Sequence, residues 1–292
     1  MVDWKRPAKG FEEISSVFLS STGPDHSEEM LRNAVPSPSG SPLLYAAMCC
    51  LSPSPAVESF FACNLTVEIA KNNQTVTLID FGFERSIVRY LMRCPNSLQD
   101  VFSHRSLVHP NYRVETTRFE GLPEITLVFP AIPRERNFPG RAVERILTEE
   151  TVRKCNVILI NSPMGSDEVT VSGNFNRFRK AVLFMDARDH SLAKAYSWIK
   201  RLSSGSRCFL IGAVFDEGED SDPVLQNITK LQTTIFKHLG VGLELRVVPM
   251  PLDREARISV QTGKPLALTE SSVSSSSARA IAKVCENLLR NE

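Results

Sequence analysis

No stretch of the chain approaches the ~18 uninterrupted apolar residues of a membrane-spanning helix, and the opening MVDWKRPAKGFEE lacks the apolar core of a secretory signal. The expected compartment is therefore cytoplasmic. Charge of one sign is not in excess either. A net charge of +1 with 23% charged residues gives no electrostatic reason to expect nucleic acid or a strongly anionic surface as partner. No CxxC pair occurs among the cysteines, Cys49, Cys50, Cys63, Cys94, Cys155, Cys208 and Cys285, and their number is odd. Most lie in apolar runs, which predicts buried reduced thiols rather than disulfides or a metal site. There is no G-x-S-x-G, and His26, His104, His109, His190 and His238 form no metal spacing with cysteines or acids. His190, just before an expected helix, reads as a capping or surface residue. In a cytoplasmic protein the sequons at Asn64, Asn73 and Asn227 are chance matches.

Apolar residues make up 42% of the 292, ample for a core. The order of the chain centres on residues 43–82. Leu43–Leu51 is a continuous apolar run, Ser52–Ala56 is loop-like, and Val57, Phe61, Leu65 and Ile69 recur at helical spacing before a second apolar run, Val76–Ile79. This predicts a βαβ unit whose two strands are buried on both faces and form a parallel pair joined by a right-handed crossover. The loop after such a first strand is where backbone N–H groups and a helix N-terminus converge on phosphate. Here that loop, Ser52-Pro53-Ser54-Pro55-Ala56-Val57-Glu58-Ser59, contains no glycine and no lysine. Its two prolines lack N–H donors, and only Ser59 could still offer a hydroxyl to a metal.

Further along, Ile87–Arg93 reads as helix, Ile125–Phe129 as strand, Gly140–Lys154 as helix and Val157–Ile160 as strand. Ala181–Met185 and Cys208–Val214 are expected strands separated by a helix over Ser191–Leu202. Leu225–Leu239 is an expected helix, Leu243–Val248 a strand and Ser277–Arg290 a closing helix. The alternation predicts an α/β fold with a doubly wound, mostly parallel sheet and helices on both faces. It favours one domain over residues 41–292, preceded by an extension and Pro/Ser linker over 1–40. The run Ser271–Ser277 reads as a loop with a helix cap. In the closing helix Ile281, Val284, Leu288 and Leu289 mark a core-facing stripe, with too few cations for an interfacial anchor.

Several segments resemble the MinD/ParA group of P-loop ATPases, and within it the bacterial FlhG (FleN) proteins that control flagellar number. Those proteins follow the loop GKGGVGK[ST] with a helix carrying NLA and a strand ending in IDxD. Asn64-Leu65 matches NL, which places Glu58 at the signature lysine and Ser59 at the Ser/Thr. Ile79-Asp80 matches ID, with Gly82 at the second aspartate. NVILINSPMG, ending at Gly165, resembles the later IDTPAG turn with Asn161 in place of its aspartate. Ser97–Phe102 resembles the TL.DVL pattern, FMDARDHSLAKAYSWIKRL the TPEPTSLTDAYALIKLL pattern, and MPLDREARISVQTGK the IPxDxxVxxAxxxxxP segment. Gly212 stands where related proteins often carry an adenine-contacting asparagine. The resemblance covers residues 41–290, and the order and spacing of these segments carry it.

The resemblance implies a P-loop NTPase-like fold, and the residue changes within it imply a degenerate nucleotide site at Ser52, Pro53, Ser54, Pro55, Glu58, Ser59, Asp80, Gly82 and Asn161. Glu58 would face phosphates with the wrong sign; its plainer role is a first-turn carboxylate favoured by the helix dipole. Asp80 could contact Mg²⁺ or Ser59, but without a metal-bound phosphate it is expected to cap the following turn. Asn161 cannot supply an aspartate's charge, and Gly82 has no side chain to orient water. No catalytic residue, no metal and no cofactor is therefore expected. ATP and Mg²⁺ enter only on an alternative reading, an atypical-loop ATPase switching between monomer and dimer in flagellar or other polar assembly. A second alternative is a relative of the polysaccharide-assembly ATPases. The preferred expectation is a non-catalytic regulatory or scaffolding protein. For a protein partner, HSEEMLR resembles, through Leu31-Arg32, the DQAxxLR motif by which FlhG proteins engage their partner GTPase, FlhF. Arg85, Arg89 and Arg93 make a stripe that is either a solvated face or a dock for an acidic partner.

Overall fold

The structure, a computed structural model, describes residues 44–50, 55–80, 105–108, 112–130, 146, 152, 154–163, 179–186, 188–205, 209–216, 222–239 and 245–290. The strands are β1 (Leu44–Cys50), β2 (Val76–Asp80), β3 (Arg105–Val108), β4 (Tyr112–Thr117), β5 (Ile125–Pro130), β6 (Val157–Pro163), β7 (Lys180–Asp186), β8 (Phe209–Asp216) and β9 (Leu245–Pro251). They form one sheet in the order β3-β4-β5-β2-β6-β1-β7-β8-β9. The seven strands from β5 to β9 in that order run parallel, and β3 and β4 extend the sheet antiparallel beyond β5. The mostly parallel doubly wound sheet expected from the alternation is present. One detail differs: β1 and β2 are parallel but not neighbours, because β6 lies between them. The slot suits β6, since Val157 to Asn161 are buried.

The helices are α1 (Pro55–Lys71), α2 (Asp189–Gly205), α3 (Asp222–Leu239), α4 (Arg254–Thr262) and α5 (Ser276–Leu289). They divide between the two faces. On one, Val57, Phe60 and Leu65 of α1, Ala256 of α4 and Ile281, Val284 and Leu288 of α5 share a core with Leu78, Leu159, Val182 and Phe184 of the sheet. On the other, Leu192, Tyr196 and Ile199 of α2 and Ile228, Leu231 and Ile235 of α3 pack on Ile79, Ile158, Ile160, Leu183 and Met185. Ile146 and Val152, within the expected helix 140–154, are helical and join this second core. The alternation along β7 is what a strand covered on both faces requires. The stripe of α5 is thus spent on the core, and among the described residues no helix is long and apolar enough to cross a membrane.

Helix α1 is buried on nearly every side, so its polar residues must satisfy themselves locally. Thr66 Oγ1 donates to the Ala62 carbonyl at 2.7 Å and Asn64 Nδ2 to that of Phe60 at 2.8 Å. The other end of the Asn64 amide accepts from Ala267 N–H at 2.9 Å, which leaves this sequon no access to solvent. Glu58 in the first turn and Lys71 in the last both suit the helix dipole. Asn73, at φ 59°, makes the left-handed turn into β2, a conformation asparagine tolerates better than most residues. The Phe61 ring stacks on Phe184 of β7 with centroids 4.2 Å apart. Cys63, Cys155 and Cys285 are buried thiols in no disulfide; burial, with Glu68 adding to it, pushes Cys285 up to about 12.

A buried cation fastens the far end of α5. Lys180 opens β7, and its Nζ donates to the carbonyls of Asn287, at 3.3 Å, and Arg290. A lysine at the last carbonyls of a helix satisfies groups the helix cannot and complements its dipole. Lys180→Met keeps the aliphatic stem but removes the donors. Its expected cost is about 1–3 kcal/mol. Hydrogen exchange should quicken first at Leu289 and Arg290 and leave the β7 amides protected; unchanged exchange there would show that the lysine is not what holds this end.

Candidate ligand site at the carboxyl edge of the sheet

Because the seven central strands run parallel, their carboxyl ends meet at one edge, and the sequence-predicted site residues divide there into those the structure places and those it does not describe. Ser52, Pro53 and Ser54, with Gly82, Arg85, Arg89, Arg93, Leu31 and Arg32, lie outside the described residues. Pro55 is not loop, as expected, but the first residue of α1. Proline suits that position because its φ is already helical and its missing N–H would have had no partner within the helix. Glu58 follows half-buried in the first turn, and Ser59 is buried beside it.

Asp80 ends β2 and Asn161 lies opposite it on the neighbouring β6. Both are almost fully buried, at 1% and 2% exposure. Asn161 Nδ2 donates to Asp80 Oδ1 at 2.9 Å. The turn that Asp80 is expected to cap lies outside the described residues; among these, its carboxylate accepts from Asn161. The pairing fixes which way the amide points, since turning it over would set its oxygen against the carboxylate. It leaves Asn161 Oδ1 buried without a hydrogen-bond partner. An unsatisfied buried acceptor costs about 1–3 kcal/mol, so the bond to Asp80 outweighs that cost. Chemically this is a neutral amide donor set against a buried carboxylate.

A second buried carboxylate at the same edge escaped the sequence reading. Asp186 ends β7, and its Oδ2 accepts from Arg188 Nε at 2.9 Å and Nη2 at 2.8 Å, while Oδ1 accepts from the Arg188 backbone N–H at 3.1 Å. The pair closes the turn from β7 into α2 and leaves the Arg188 side chain 64% exposed. The D-x-R spacing after an apolar run was the available signal. His190 is exposed and belongs to the first turn of α2 rather than preceding it. Gly212 lies inside β8, opposite Leu183 and Val247.

Beyond β9, Asp253 joins two helices. Its Oδ1 accepts from Ala256 N–H at 2.9 Å, capping α4, and its Oδ2 accepts from Ser275 Oγ at 2.8 Å, Ser276 Oγ at 2.9 Å and Ser277 N–H at 3.1 Å at the start of α5. Partial burial works against the charge, but these hydrogen bonds outweigh it and hold the carboxyl at about 2. The serine run ends in the expected helix cap at Ser275, while its first residues lie in a short 3₁₀ turn, Glu270–Val273, rather than in a loop. Among the described residues, no three His, Cys, Asp or Glu side chains come together in a way that could hold a metal.

No protein-family model matches the chain. No curated protein matches it in sequence. Solved structures do match in fold. A substituted McdA from Cyanothece, in complex with ATP, superposes with TM-score 0.60 at 12% identity over 86% of this chain and 97% of its own. MinD in the MinC:MinD cell division complex of Aquifex aeolicus gives 0.52 at 16% identity over 85% and 97%. The pNOB8 ParA bound to nonspecific DNA gives 0.52 at 11% identity over 84% and 99%. At these identities the likeness speaks for architecture alone. With its parallel sheet, its helices on both faces and near-complete coverage of these structures, the chain has the fold of the MinD/ParA P-loop ATPases.

Proposed function

We propose that the protein is a non-catalytic member of the MinD/ParA-like group, nearest to FlhG, which regulates or scaffolds through protein contacts without hydrolysing ATP. The observation that carries this reading is the Asn161–Asp80 hydrogen bond: an amide donor occupies the place where the motif sets a carboxylate. The loop sequence supports it independently, with prolines for glycines and Glu58 for lysine. On this reading the protein is cytoplasmic, needs no nucleotide or metal, and binds a protein partner such as an FlhF-like GTPase or an assembly component. Leu31-Arg32 and the Arg85, Arg89, Arg93 stripe are the proposed contacts. The MinC:MinD complex supports a protein partner for this fold. The ParA structure shows that nonspecific DNA is another ligand the fold takes, but the net charge of +1 gives it little attraction here. The ATP complex of McdA and the retained Ser59 favour one second reading, an atypical-loop ATPase that dimerises.

Titration calorimetry of the purified protein with ATP and Mg²⁺ separates the two. No heat of binding and no phosphate release are expected. Micromolar binding, or turnover that disappears in a Ser59→Ala protein, would overturn the non-catalytic reading.

A further inference from the structure

We propose that the Asn161 carboxamide takes the place of a cation at the carboxyl edge of the sheet, so that Asp80 is held by an internal N–H donor and the position is closed to divalent metal. The inference rests on the non-catalytic reading and says what that site does instead. A carboxylate with 1% exposure must be compensated, either by a positive charge or by donors aimed at it. Two arrangements at the ends of β2 and β6 would serve. A metal could bridge two oxygen ligands, or a neutral side chain could donate directly. An aspartate at residue 161 would demand the first, because two facing carboxylates in so dry a place repel. An asparagine of the same shape supplies the second.

The direction of the amide decides between them. Nδ2 faces Asp80 at 2.9 Å, and the oxygen, Asn161's one possible metal ligand, is left buried with no hydrogen-bond partner. Hard divalent cations are ligated by oxygen, and an N–H group turned toward the carboxylate repels them. For a metal to bind Asp80 on this side, the 2.9 Å bond would have to break and the amide turn over. The geometry is that of a site assembled without metal.

The test compares the full-length protein with Asn161→Asp and Asn161→Leu by thermal unfolding, in EDTA and in millimolar Mg²⁺. The wild-type Tm should be the same in both. Asn161→Asp should lose several degrees in EDTA and recover most of the loss in Mg²⁺. Asn161→Leu, which leaves Asp80 without this donor, should lose stability in both solutions. A wild-type Tm raised by Mg²⁺ alone, or an Asn161→Asp protein indifferent to Mg²⁺, would overturn the inference. Should Asn161→Asp fail to fold in either solution, Mn²⁺ binding to the wild-type protein by electron paramagnetic resonance decides: no bound ion is expected, and one tightly bound ion per chain would overturn it. Stabilisation of the wild type by ATP in the presence of EDTA would instead overturn the non-catalytic reading, while supporting a site closed to metal.

Discussion

A variant with glycines in place of Ser52, Pro53, Ser54 and Pro55 and with Glu58→Lys should bind ATP at least a thousandfold more tightly than the parent. The estimate comes from charge alone. A carboxylate about 4 Å from a phosphate charge, at an effective dielectric near 20, repels it by about 4 kcal/mol, and each 1.4 kcal/mol is about a decade in affinity. Replacing repulsion by attraction adds to that figure, and the glycines let backbone N–H groups approach the phosphates. The parts that need no repair are in place: α1 starts at Pro55, and Ser59 follows its first turn. Hydrolysis should stay absent until Gly82→Asp and Asn161→Asp are added, because the remaining work is placing charge around the transferred phosphoryl group. Calorimetry and phosphate release follow the two steps separately. Turnover after the loop change alone would show that residues 82 and 161 are not the missing acidic positions.

The largest stability loss is expected from Asp253→Ala. One carboxylate caps α4 and receives two hydroxyls and a backbone N–H from the start of α5, so its removal uncaps two helices at once. Loss of an N-cap costs about 1 kcal/mol, and hydrogen bonds to a charged group contribute about 1.5–3 kcal/mol. A total near 3 kcal/mol would lower Tm by about 6–12 °C in a domain of this size. The effect has a sign in pH. The folded carboxyl lies at about 2, below its ordinary 3.8, so the unfolded chain takes up the proton first. Its contribution is therefore complete above 3.8 and is lost as pH falls toward about 2. Denaturant unfolding of both proteins at neutral and acidic pH should show the difference between them narrowing in that window. A difference that stays constant through it would assign the effect to the hydroxyl groups rather than to the charge.

Local pattern sufficed for elements whose environment is uniform along the chain. Val157–Ile160 and Ala181–Met185 are apolar because both faces of the sheet are covered there, and the strands lie where the runs do. The helix over Ser191–Leu202 was legible for a different reason: its buried Leu192, Ala195, Tyr196 and Ile199 fall on one side. The antiparallel pair β3 and β4 was not legible. RSLV and YRVETT mix charge and apolar residues without a long run, and β3 joins the sheet only through β4, which itself pairs with β5. The same limit hid the site's central contact. Asp80 and Asn161 are 81 residues apart, and only the insertion of β6 beside β2 brings them into register. The role of Asp253 was half visible: the serine run announced a cap, but not that the carboxylate receiving it lies 22 residues earlier.

The burial of α1 also orders events during synthesis. Part of its cover comes from the other end of the chain: Ala267 donates to Asn64 from 203 residues away, and Ile281, Val284 and Leu288 of α5 lie in the same core. At about 5–20 residues per second, a ribosome takes roughly 10–40 s to make that intervening stretch. Until the end of that interval Phe60, Phe61 and Leu65 belong to a helix that lacks α5 from its cover, whatever strands it already meets. The nascent chain therefore presents a long apolar segment to its surroundings well before it can fold around it, and a ribosome stalled short of α5 holds a polypeptide suited to capture by a chaperone or a protease.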